Sequence, residues 1–261
     1  KNKKDETELK WENSKKICTR TLKNTIVDKN TGGNFFEDIK NFVDSQQLYY
    51  KKGISYKRGY FIYGQPGTGK TTLIKTIANV YKLPIFIMDL KIIDNNASLL
   101  KLCHDVSNYI ETGQKHILLF EDYDRCTVGS YDNDITTNCF LNILDGVDEF
   151  HGRITILTAN NTDVIFNNKA LIRPGRIDKL ICIEQCTPLQ IEKIIEYQCD
   201  TTLEENTINN QVYITTAQLY QLIHEIKEPS EIIAIINKTI NFKEKRIESV
   251  INADVEKVED S

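Results

Sequence analysis

Long apolar runs are missing from this chain: no stretch approaches the roughly 20 consecutive apolar residues that a bilayer-spanning helix needs, so the segment in hand holds no membrane span. The opening residues KNKKDETELKW are rich in charge and hold no apolar stretch, so no cleavable leader is expected within them. The chain begins at Lys1 rather than Met, as a piece of a longer protein would. A targeting or membrane segment upstream is left open. Cysteine pairs with redox or zinc spacing are lacking. Seven cysteines lie scattered at 18, 103, 126, 139, 182, 186 and 199, and the four histidines show no ligand spacing beside them. That pattern predicts free thiols in a reducing compartment, cytoplasmic or matrix-like, rather than disulfides or a zinc site. Neither sign of charge dominates: 33 basic and 37 acidic residues give a net charge of −4. Such a balance supplies no overall pull toward nucleic acid or an anionic membrane. Internal repeats and low-complexity linkers are absent as well.

What is present is an alternation of short apolar runs with amphipathic ones. GYFIYG (59–64), PIFIMDL (84–90), HILLFED (116–122), RITILTAN (153–160) and KLICIE (179–184) read as strands. Between them, 35–50, 71–81, 98–111 (with Ser98 as N-cap) and 135–147 (stopped near Gly146) have helical spacing. Strands alternating with helices predict a parallel five-stranded sheet covered on both faces. After Pro188 the pattern becomes helical only. The expected division is a polar N-terminal arm at 1–23, a large α/β domain at 24–187, a small helical lid at 188–247 and an acidic tail at 248–261.

The chemistry is concentrated in four places. GQPGTGKT, from Gly64 through Gln65, Pro66, Gly67, Thr68, Gly69 and Lys70 to Thr71, fits G-x-x-x-x-G-K-[ST] between a strand and a helix. Glycines there let successive backbone N–H groups turn toward one anion, and the following helix, through Thr72, aims its positive end at the same place. Lys70 can reach the outer phosphates, and the Thr71 hydroxyl can ligate Mg²⁺. The second place is the end of HILLFEDYD. One of the adjacent acids Glu121 and Asp122 can serve a Mg²⁺ ion and the other can polarise an attacking water. They can take separate jobs only where the chain leaves the sheet, since successive strand residues face opposite ways. Asp124 is given no catalytic job. Third, Asn160 ends the strand RITILTAN, where it can hydrogen-bond the water or the γ-phosphate. An Asx turn capping the next segment fits Asn161 or Thr162 better than Asn160. Fourth, LIRPGRID places Arg173 and Arg176 around a Pro-Gly turn, with planar guanidinium groups suited to phosphate charge. Nothing in the sequence aims them at their own P-loop; surface arginines of a turn and charges aimed at a neighbouring subunit's nucleotide both fit the pattern.

Taken in this order, the motifs resemble those of AAA+ ATPases, over about residues 24–247. Within that family YYKKGISYKRGYFIYGQPGTGKT, LLFEDYD, FLNILDGV and ALIRPGRID look most like the BCS type, named for the mitochondrial inner-membrane chaperone that assembles respiratory complex III. The resemblance implies ATP and Mg²⁺ as cofactors, with Lys70, Thr71 and the rest of 64–72 on the phosphates. It puts Glu121 at the metal-side position and Asp122 at the position of the catalytic acid. Asn160 becomes the first sensor, and Arg173 and Arg176 become arginine fingers acting in trans. It further implies a homo-oligomeric ring, a hexamer or heptamer, that remodels or translocates a protein client. The order Glu121-Asp122 inverts the commoner pair and is shared by the BCS type. MDLKIIDNNAS lacks the aromatic–apolar–Gly pore loop of threading unfoldases, and EPSEI (228–232) offers no second-sensor arginine.

Three other readings stay open. A nucleic-acid remodeller on the same fold is disfavoured by the acidic balance. A slow ATP-switch binding module is kept open by the shorter acid at the water position. A P-loop small-molecule kinase fits poorly with LIRPGRID and the helical C-terminal part.

Overall fold

The five apolar segments form strands β1 (Lys57–Tyr63), β2 (Ile85–Met88), β3 (His116–Phe120), β4 (Arg153–Ala159) and β5 (Lys179–Cys182). They pair in parallel in the order β2-β3-β4-β1-β5. The central strands β3 and β4 are buried at every residue, whereas the edge strand β5 is partly exposed. That contrast follows from a sheet covered on both faces. The structure is a computed structural model describing residues 9–13, 19–28, 34–126, 128, 135–145, 152–161, 163 and 169–238. Much of the expected arm at 1–23, the helix stop at Gly146, Thr162, the end of the expected lid at 239–247 and the acidic tail at 248–261 lie outside the described residues.

The helices are α1 (Asn34–Asp44), α2 (Gln46–Lys52), α3 (Lys70–Val80), α4 (Asn96–Asp105), α5 (Thr137–Asp145), α6 (Pro188–Cys199) and α7 (Thr216–Ile226). Residues 229–238 are helical too. Two local expectations change. The segment 35–50, read as one helix, is broken at Ser45, whose hydroxyl donates to the Asn41 carbonyl and whose N–H reaches back to Phe42 O at 3.1 Å. Serine competes for backbone partners in this way and interrupts helices. The N-cap of α4 is Asn95, not Ser98. Asn95 is extended, and its side chain accepts the Ser98 N–H at 2.9 Å.

The chain divides into two compact units: Lys1–Thr25, Thr31–Gly64 and Lys70–Ile183 in one, and Ile26–Asn30, Gln65–Gly69 and Glu184–Ser261 in the other. The first is the sheet with α1 to α5. Its core joins Phe61, Leu118, Phe120, Phe140, Leu157 and Leu171. Arg58 pairs with Asp38 at 2.7 Å, and Tyr60 Oη donates to the same carboxylate at 2.6 Å, so α1 is tied to β1. Trp11, within the segment read as a peripheral arm, packs edge-on to Phe86 at 5.1 Å and donates its indole N–H to Leu102 O at 3.0 Å. The polar composition around Trp11 concealed that anchor. The second unit packs Ile191, Ile194 and Ile195 of α6 against Leu219, Ile223, Ile232 and Ile236. Both α6 and α7 start with a capping box, Thr187 with Gln190 and Thr215 with Gln218. No helix among the described residues is long and apolar enough to cross a membrane.

Candidate active site

Parallel pairing brings the C-terminal ends of the strands to one edge of the sheet. β4 lies between β3 and β1, with Ala159 opposite Tyr63 and Leu157 opposite Phe120. The chain therefore leaves β1 at Gly64, β3 at Glu121 and β4 at Asn160 side by side. Gly64 has φ +148°, and a Cβ there would lie 2.0 Å from Ile183 O, so only glycine lets the chain just after β5 pass this close. Gln65–Gly69 follow, with Thr68 Oγ1 donating to Gln65 O at 2.9 Å and Pro66 exposed. Helix α3 then begins at Lys70, its first-turn N–H groups pointing back along the chain.

Lys70 is buried and donates to Gly64 O at 2.7 Å and to Asn160 Oδ1 at 2.8 Å. Burial holds its pKa below the ordinary lysine value, against the opposing pull of Asp122 and Asp124. The Thr71 hydroxyl donates to Glu121 Oε1 at 3.1 Å. Thr72 accepts the Thr76 hydroxyl on its carbonyl at 2.9 Å, within α3.

The two adjacent acids point to different places because Asp122 sits in the left-handed region, with φ +48° and ψ +47°. Glu121 continues toward α3 and Thr71. Asp122 turns toward β4: its N–H donates to Thr158 Oγ1 at 3.1 Å, and its Oδ1 accepts Asn160 Nδ2 at 3.4 Å. Arg125 lies 3.6 Å from Asp122 Oδ2 in an exposed pair of little energetic weight. Asp124 has a different task, accepting the Asn161 N–H at 3.2 Å and so fixing the loop beyond Asn160. An Asx turn is formed by Asn161, whose Oδ1 accepts the Asp163 N–H at 3.0 Å. Asn160 is thereby free of turn duty and joins Lys70 to Asp122.

A hydroxyl and a carboxylate that meet at 3.1 Å, Thr71 and Glu121, are the hard oxygen donors that suit Mg²⁺. Lys70, Asn160 and Asp122 form the adjoining polar line. Glu121 is thus engaged with Thr71, and Asp122 with Asn160, on separate hydrogen bonds.

Neither Arg173 nor Arg176 joins this network. Both stand on the turn after Leu171 in the same unit. Arg173 is exposed. Arg176 forms a bidentate pair with Asp145 at the end of α5, Nε and Nη2 each at 2.6 Å, and donates Nη1 to Ala170 O at 2.6 Å. The Asp145 carboxyl is held below its usual pKa, chiefly by the hydrogen bond from Arg176.

In the second unit, loop Gln65–Gly69 meets the start of α7. Gly67 O accepts the Ala217 N–H at 2.9 Å, and Thr68 O accepts the Thr216 hydroxyl at 3.3 Å. Sequence reasoning named Gly67 and Thr68 but passed over Thr216 and Ala217, as it did Thr158, Asp145 and Asp178. Thr158 is one more apolar-strand residue by pattern, and Asp145 was visible only as a helix end. Neither carried a signal of its own.

Sheet order, phosphate loop and paired acids define a P-loop nucleotide-binding domain. Residues 60–185 match the family model described as the ATPase family associated with various cellular activities (AAA). The chain carries an AAA ATPase domain. It is 34% identical over 246 residues, 88% of its length, to a Dictyostelium discoideum protein named probable mitochondrial chaperone BCS1-A, of which the match covers 54%. It is 31% identical over 243 residues, 87% of its length, to an AAA-ATPase of Arabidopsis thaliana, of which the match covers 50%. A Schizosaccharomyces pombe protein named probable mitochondrial chaperone bcs1 is 30% identical over 182 residues, 67% of this chain and 39% of its own. The chain spans about half the length of the first two relatives.

Proposed function

We propose that this chain hydrolyses ATP to ADP and phosphate with Mg²⁺, as one subunit of a homo-oligomeric ring, hexameric or heptameric, that remodels or translocates a protein client in the manner of BCS-type chaperones. The observation that carries the reading is the split of the two acids: Glu121 on Thr71, and Asp122 on the Asn160–Lys70 line. Thr71 and Glu121 would hold the ion, which when bound neutralises developing phosphate charge. Lys70 and the 64–69 loop bind and orient the phosphates. Asp122 accepts a proton from the attacking water, and Asn160 holds that water in line. Arg173, exposed on its turn, supplies positive charge to a neighbouring subunit's nucleotide. The relatives named mitochondrial chaperones support the client reading. The free cysteines among the described residues support a reducing, matrix-like or cytoplasmic compartment.

The test is steady-state ATP turnover across a range of protein concentrations. Turnover per chain should rise with concentration and collapse in Arg173→Ala, while Asp122→Asn binds ATP and turns over slowly. Full-rate hydrolysis by a proven monomer would defeat the ring-dependent part. A slow ATP switch is the second reading. The short Asp122 side chain, held back toward Asn160, favours it, and ATP still bound after long incubation with Mg²⁺ would select it. Stimulation by DNA or RNA with steep salt dependence would instead revive nucleic-acid remodelling.

A further inference from the structure

The turn that carries the two arginines is clamped to its own subunit at three points. A Cβ on Gly59 of β1 would lie 1.7 Å from Arg176 O, so the turn backbone lies directly on the strand. The Asp178 carboxylate accepts the Gly59 N–H at 2.8 Å on one oxygen and the Gly175 N–H at 2.9 Å on the other. The third point is Arg176 itself, forked onto Asp145 and bonded to Ala170 O.

That third point bears on what Arg176 can do. A finger that stabilises another subunit's phosphate must present uncompensated charge. The Arg176 side chain is only 13% exposed and is neutralised by a carboxylate in bidentate geometry. Arg173, three residues earlier, is exposed; it acts on Asp145 only as a weaker through-space charge, behind the hydrogen-bonded Arg176. The anchoring aspartate is itself well placed. Lys57 Nζ donates to Leu144 O at 3.1 Å and to Asp145 O, and Arg153 Nη2 donates to Ile143 O at 2.7 Å. The end of α5 is therefore fixed to β1 and β4. Through Phe140, stacked on Tyr123 at 5.2 Å, the same helix also packs beside the acids that follow β3.

We propose that Arg176 works within its own subunit as a positioning residue, locked by Asp145, and that Arg173 alone is the charge this turn offers to a neighbouring nucleotide. The proposal rests on the trans-arginine reading above and departs from the two-finger assignment that resemblance implies.

A double-mutant cycle on ATP turnover, with Asp145→Asn, Arg176→Gln and the double variant beside Arg173→Ala, decides it. If Arg176 acts through Asp145, the two single variants each lose about 10-fold in kcat with KM unchanged, and the double loses no more than either. Arg173→Ala loses more than either. A merely stabilising pair would lower the melting temperature and leave kcat of the folded protein unchanged, which would overturn the proposal. So would Arg176→Gln matching Arg173→Ala while Asp145→Asn turns over normally, because Arg176 would then touch phosphate itself. If Arg173→Ala is active at every protein concentration, the trans reading fails instead. Asp145 is 44% exposed at its side chain, so the isosteric amide is tolerated. Arg176→Met, with a similar stem and no charge, must reproduce Arg176→Gln.

Discussion

At the scale of single residues, Asp122 is the position where backbone and chemistry meet. A non-glycine residue in the left-handed region costs about 1 kcal/mol, although aspartate tolerates it better than most. Here that conformation parts Asp122 from Glu121 and turns it to Asn160. Thr158 accepts the Asp122 N–H and so holds the turn. Replacing Thr158 with valine removes the acceptor and leaves a donor unmet, a change worth about 1–3 kcal/mol. The expected outcome is a kcat lower by about 10-fold or more with ATP affinity retained, measured by steady-state turnover and nucleotide titration. Thr158→Ser keeps the hydroxyl and should keep the rate. Lys70→Ala, by contrast, should abolish ATP binding itself.

Among elements, the arginine turn and α5 form one assembly with β1. Gly59→Ala would drive a Cβ into the Arg176 carbonyl, and backbone cannot give way cheaply. A loss of about 1–3 kcal/mol is expected, as for an overpacked core, read as a lower melting temperature together with reduced concentration-dependent turnover. At the start of α7, Thr215 accepts the Gln218 N–H at 3.3 Å. Thr215→Ala should cost about 1 kcal/mol of the second unit's stability by thermal melting. Element existence was legible: strand spacing, helix phase and the helices after Pro188 follow from apolar periodicity. Local partners decided the rest. The break at Ser45 and the shift of the α4 cap to Asn95 depend on single side-chain hydrogen bonds that periodicity does not register.

For the whole molecule, pH response follows from His116. The residue is buried at the start of β3 beside Phe86, its Nδ1 3.1 Å from Gln114 O, next to Arg153. Burial lowers its pKa below 6.5 in the folded chain. Below that pH the unfolded chain takes up a proton that the folded one resists, so stability falls as pH falls through the window beneath 6.5 and is unaffected by this group above it. The melting temperature should therefore drop between about pH 7.5 and about pH 5.5 more in the wild type than in His116→Gln. Removing Mg²⁺ with a chelator should stop turnover without unfolding the chain.

The sequence by itself determined the phosphate loop, the acids after β3, the asparagine after β4 and the arginines before β5. Each is a run of neighbouring residues whose chemistry is local to the chain. Only the tertiary structure decided which of them meet. Strand order put β4 between β1 and β3, which brought Asn160 to Lys70, 90 positions away in the chain. The path of the chain after β3 turned Asp122 away from Glu121, and the end of α5 took Arg176 for Asp145, 31 positions earlier. The physical reason is that a motif records which groups are available, whereas their partners are set by which distant strands and helices pack side by side.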